Sequence, residues 1–108
     1  MNGKRARARE YKVAFEFNGR QFKSALLDSH YEEKHGENID DQLIIEILKT
    51  QIAGERFNNE SSNDEWRYYV FHAVHEAKNY RLIFCDHVEE SIFVIINCFR
   101  EKWWKRKN

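Results

Sequence analysis

The sequence predicts an α+β domain: an N-terminal β-hairpin, two helices and then a three-stranded antiparallel meander, with the helices packed on one face of a curved sheet. Three observations predict it. Apolar residues alternate on either side of an Asn-Gly pair near the start, recur at helical period around residues 43–52, and form strand-like runs between residues 65 and 100.

In Y-K-V-A-F-E-F, Tyr11, Val13, Phe15 and Phe17 face one way, and Lys12 and Glu16 the other. Asn18 and Gly19 follow, two residue types that accept the positive φ of a tight hairpin turn. That turn sets Phe17 opposite Arg20, Phe15 opposite Phe22 and Val13 opposite Ser24. A short helix is predicted from Asp28 or Ser29 to Gly36, with Ser29 and Glu32 at capping-box spacing.

A second helix is predicted to start near Asp40, whose side chain can accept from the first free N–H groups, while Asp41 favours the helix dipole. Leu43, Ile44, Ile47, Leu48 and Ile52 form its apolar stripe, and Gly54 stops it. After a polar loop at residues 58–64, three strands are expected over roughly 65–75, 79–86 and 91–99. The last, I-F-V-I-I-N-C-F, is apolar on both faces, as in a central strand covered twice. Short turns centred on Ala77-Lys78 and Val88-Glu89 would align His75, Tyr80 and Asn97 in one row, and place His72, Arg81 and Arg100 on the opposite face.

At 108 residues the chain reads as one domain, residues 10–101, between basic tails at 1–9 and 102–108. Net charge is zero but unevenly placed: the tails hold 8 of the 18 Lys and Arg, and the body carries 18 acids against 10 bases. Such tails either reach an anionic polymer or keep the termini solvated. Cys85 and Cys98 lack a C-x-x-C pairing and are expected to be structural thiols in a reducing cytoplasm. No stretch approaches the roughly 18 apolar residues that span a bilayer, so no membrane partner is expected. Nothing in the pattern bears on oligomeric state.

The chemistry-bearing candidates are few. His30 and Lys34, at i and i+4, read either as a general base beside a phosphate anchor or as a packed imidazole beside a solvated ammonium. No histidine spacing suits a metal, and no cofactor motif is present. Arg81 and Arg100 lie in strands, where a guanidinium must find an anion. Either they pair with body acids such as Glu46 or Glu76, or they clamp a phosphate. Asn97, polar amid I-I-x-C-F, is either a device of sheet pairing or a ligand-facing hydrogen bonder.

The hairpin, the helices S-H-Y-E-E-K-H and I-D-D-Q-L-I-I-E-I-L, and the strands Y-R-L-I-F-C and V-I-I-N-C-F-R together resemble small bacterial domains of the RelE-like plasmid-toxin group, BrnT-type and related members. The resemblance covers most of residues 10–100 and implies a barnase/RelE-like fold. It also implies metal-independent cleavage of RNA by attack of the 2′-hydroxyl on phosphate, held in check by a cognate antitoxin protein. On this sequence the resemblance makes Arg81 and Arg100 the phosphate clamps and His30 the acid/base, with Lys34, Tyr80 and Asn97 assisting substrate binding. The acidic body departs from the basic character of such toxins. The ribonuclease is the first expectation, and the alternative is a non-catalytic interaction domain of accessory or immunity-like type that uses its acidic body to bind a basic partner.

Overall fold

The computed structural model describes residues 8–28 and 39–101. Its elements are β1 (Arg9–Phe17), β2 (Arg20–Leu27), α1 (Asp41–Ile47) running into a π-helical turn (Leu48–Ile52), β3 (Ser61–Ser62), β4 (Trp66–His75), β5 (Lys78–His87) and β6 (Phe93–Arg100). All six strands join one sheet in the order β1-β2-β6-β5-β4-β3. Neighbours run antiparallel except β2 and β6, where Leu26 and Leu27 pair in parallel with Val94 and Ile95.

The predicted class is therefore corrected. Strand makes up 56% of the described residues, against one seven-residue helix. A curled, mixed, six-stranded sheet with one short helix among the described residues stands where two helices packed on a sheet were expected. Alternation marks which segments extend, but it carries no signal for the parallel β2–β6 contact that joins the hairpin to the later strands. The helix expected over Asp28–Gly36 falls, apart from Asp28, outside the described residues.

The opening hairpin turns at Asn18 (φ 51°) and Gly19 (φ 81°), and sets Phe17 opposite Arg20 and Phe15 opposite Phe22. Beyond that point one extra residue enters β1: Lys12, not Val13, opposes Ser24. This is a β-bulge, and it re-phases β2. Tyr11, Phe15 and Phe17 stay on the inward side of β1, whereas the buried set in β2 changes from Phe22 to Ala25 and Leu27.

The sheet curls around an aromatic core. Phe17, fully buried, meets Phe93 at 5.2 Å, Tyr69 at 5.1 Å and Phe84 at 5.7 Å between ring centroids. These rings come from β1, β4, β5 and β6, so one side chain ties together strands that are not neighbours. Asn18 fastens the same curl from the turn. Its Nδ2 donates to the Phe57 carbonyl at 3.0 Å and its Oδ1 accepts from the Phe57 N–H at 2.7 Å, while the Gly54 N–H reaches the Glu16 carbonyl at 2.6 Å.

Helix α1 closes the core. Asp40 caps it by accepting from the Leu43 N–H at 2.9 Å. Ile44, Ile47, Leu48 and Ile52 are fully buried. The wider turn at Leu48–Ile52 is closed by the Ala53 N–H to the Leu48 carbonyl at 2.8 Å, and Leu48 and Ile52 are both buried in it. Gln51 then donates to the Val74 carbonyl on β4 at 2.9 Å. Strand β6 lies between β2 and β5 as a central strand should, but only one of its faces is closed: Phe93, Ile95 and Cys98 are buried, while Val94, Ile96, Asn97 and Phe99 are half-exposed.

Candidate functional site

The predicted site residues do not assemble into one site. His30 and Lys34 lie outside the described residues. Arg81 stands level with His72 on one side and Phe99 on the other, whereas Arg100 stands level with Tyr80. Directly opposed residues share a face and successive residues alternate, so Arg81 and Arg100 project from opposite faces of the sheet. The expected row of His75, Tyr80 and Asn97 is replaced as well, because Tyr80 opposes Ala73 and Arg100 while Asn97 opposes Ile83.

Tyr80 and Arg100 do meet. The guanidinium carbon of Arg100 lies 5.9 Å from the Tyr80 ring centroid. Tyr80 is buried, and burial pushes its hydroxyl above the ordinary tyrosine value, with Arg100 opposing the shift. Asn97 turns back on its own strand: its Oδ1 accepts from the Cys98 N–H at 2.8 Å.

Two buried carboxylates organise the remaining cations. The first is Asp86, 1% exposed, at the end of β5. Its Oδ2 accepts from Arg20 Nη2 at 2.9 Å and Arg67 Nη2 at 3.2 Å, and its Oδ1 from the Tyr69 hydroxyl at 3.0 Å and Arg67 Nε at 3.3 Å. Two donors on each oxygen fill the lone-pair positions a carboxylate offers. The hydrogen bond to Asp86 raises the Arg67 pKa, and burial followed by the Asp86 charge raises that of Tyr69. Asp86 is thus a closed brace across β2, β4 and β5 with no capacity for an outside ligand. The sequence signal for it was an acid closing the apolar run L-I-F-C-D, a position a strand gives to a carboxylate only when cations are supplied.

The second carboxylate is Glu101, 7% exposed, just past β6. Its backbone N–H bonds to the Asn79 carbonyl at 2.9 Å, which lays the side chain across β5. Oε1 sits 2.8 Å from His72 Nδ1 and Oε2 sits 3.0 Å from Arg81 Nε. The contact with Arg81 is ionic only, since the Nε–H is not aimed at the oxygen and makes no hydrogen bond. Unlike Asp86, Glu101 is an open brace.

The two thiols are inert. Burial pushes Cys85 and Cys98 up to about 12, and their ladder positions opposite Val94 and Leu82 place them on opposite faces. Among the described residues no group of three His, Cys, Asp or Glu side chains could hold a metal ion, and no helix is long and apolar enough to cross a membrane.

Exposed charge is lopsided. Among the described residues eleven exposed acids face five exposed bases. Five of the acids, Glu60, Asp64, Glu65, Glu89 and Glu90, lie in the loops before β3, β4 and β6, and the Val88 N–H bonded to the Glu65 carbonyl at 2.8 Å joins the last two of these at one end of the sheet. An open hollow of about 410 Å³ lies there over Asn63, Asp64 and Glu65.

No family model matches this chain, and neither a curated protein nor a solved structure matches it. What the fold and side chains define is a class: a curled, mixed β-sheet domain with internally braced arginines and an acidic rim.

Proposed function

We propose that this chain is a non-catalytic protein-interaction domain whose acidic body binds a basic protein partner. The observation that carries this reading is the destination of the body's arginines. Arg20 and Arg67 are held by Asp86 and Arg81 by Glu101, so the charge left at the surface of the described residues is mostly carboxylate. A surface of that kind steers cationic partners toward it and repels polyanions.

Binding of a labelled lysine-rich peptide to the full chain, followed by fluorescence anisotropy, tests this. The combined variant Glu60→Gln, Glu65→Gln, Glu89→Gln, Glu90→Gln should weaken binding by about tenfold, the summed effect of four screened surface pairs. Unchanged affinity contradicts the reading.

The ribonuclease reading keeps one specific support. His72 is oriented by a carboxylate beside an arginine, an arrangement suited to acid–base work on a phosphodiester. Against it stand the separation of Arg81 from Arg100 and the partial neutralisation of Arg81.

A further inference from the structure

The difference between the two carboxylate braces has a chemical consequence. Both oxygens of Asp86 are doubly occupied, whereas around Glu101 the outward atoms of two side chains have no partner among the described residues. His72 and Arg81 are directly opposed on β4 and β5. An ionised carboxylate can only accept, so the 2.8 Å contact with Glu101 makes Nδ1 of His72 the donor and leaves Nε2 as the unengaged nitrogen of a side chain that is 57% exposed. The Arg81 guanidinium lies over the Phe99 ring, 5.6 Å from its centroid, with the side chain 41% exposed. Among the described residues no acceptor meets its terminal nitrogens.

We infer that His72 and Arg81 together form a binding site for a phosphate group, oriented from beneath by Glu101 and Phe99. The terminal nitrogens of Arg81 offer two donors in the fork geometry that matches phosphate oxygens. Glu101 offsets one cation, so the cluster carries a net positive charge when His72 is protonated and none when it is neutral. Phosphate suits both states. A phosphate oxygen can accept from an N–H at Nε2, and a phosphate hydroxyl can donate to a bare Nε2. A carboxylate ligand, ionised at neutral pH, has no hydroxyl to give to a neutral imidazole. The site stands apart from the acidic rim: His72 lies six positions along β4 from Trp66, roughly 20 Å at strand rise. It therefore does not depend on the interaction reading.

The test is an NMR titration of the isotopically labelled full chain with sodium phosphate at about pH 6.5, near the second ionisation of phosphate, with ionic strength held constant by chloride. The His72 ring and Arg81 Nε signals should move together and saturate, while His75 and His87 stay still and sodium acetate has no such effect. Arg81→Gln and His72→Gln, each checked for a dispersed folded spectrum, should weaken the response of the remaining partner by about tenfold, the loss of one charge-assisted hydrogen bond. Overturning results are a linear, unsaturated drift, an equal response to acetate, equal movement of His87, or an unaltered response in both variants.

Discussion

Arg81 and Arg100 are kept on opposite faces of the sheet by a single residue. The β5–β6 ladder pairs Phe84 with Ile95 and Ile83 with Asn97, leaving Ile96 as an extra residue in β6. Had the register at Phe84 continued unbroken, Arg81 would oppose Cys98, and both arginines would share a face. The bulge is held by Asn97, whose Oδ1 takes the Cys98 N–H. Its polar side chain amid apolar neighbours is therefore a device of pairing. Asn97→Ala removes that hydrogen bond and should cost about 0.5–1.5 kcal/mol by urea denaturation, with Asn97→Asp costing less. Equal stability of Asn97→Ala and the parent chain contradicts this role.

The Asp86 brace should behave as a unit. Removing one arginine leaves the carboxylate with the other and with Tyr69. Because Arg20 and Arg67 are each about one-third exposed, the 3–5 kcal/mol typical of a broken buried pair is discounted to about 1–2 kcal/mol for either single alanine variant. Removing both strands a charge that is 1% exposed, so the double variant should lose more than the sum of the singles. Additive losses would mean that the two arginines do not share one carboxylate.

The β4–β5 turn is strained by its residue types. Glu76 (φ 52°) and Ala77 (φ 67°) both occupy the left-handed region without a glycine. Replacing the pair by Asn and Gly should raise stability by about 1–2 kcal/mol, the cost of holding two L-residues there. Thermal and urea midpoints check it, and a loss of stability would contradict the turn geometry.

Alkaline pH should destabilise the fold through the thiols. Cys98 shifts from 9.0 to about 12, with burial the cause. Below pH 9 the folded and unfolded chains both hold this proton and the contribution is constant. Between 9 and 12 the unfolded chain releases it first, so folding stability falls by about 1.4 kcal/mol per pH unit for this group. Denaturation curves at several pH values should show a shallower decline for Cys98→Ala, whatever its stability at neutral pH. An identical decline in both proteins contradicts the assignment.

The parts of the fold legible in the sequence are those governed by neighbours along the chain. Asn18-Gly19 and the alternation of Tyr11, Phe15 and Phe17 mark the hairpin, and Asp40 with the Ile44, Ile47, Leu48 stripe marks the helix. The unread parts depend on counting errors of one residue. The bulge between Lys12 and Phe15 re-phases β2, and the one at Ile96 moves Arg100 to the other face. Neither announces itself with a Gly or Pro. The β4–β5 turn falls at Glu76-Ala77, one residue before the expected Ala77-Lys78, because Glu76-Ala77 has no turn chemistry, and the shift leaves the faces of β4 unchanged. The same holds for the candidate site residues: residue type shows that Arg81 needs an anion, but not that Glu101, beyond the strand end, supplies it.

The central claim is that Arg20 and Arg67 serve the fold and that the domain binds without catalysing. Incubating the purified chain with single-stranded RNA in the absence of added metal, and analysing the products for 2′,3′-cyclic phosphate ends, tests it most directly. The account predicts intact RNA. Cleavage that yields cyclic phosphate ends and disappears in Arg81→Ala would contradict it.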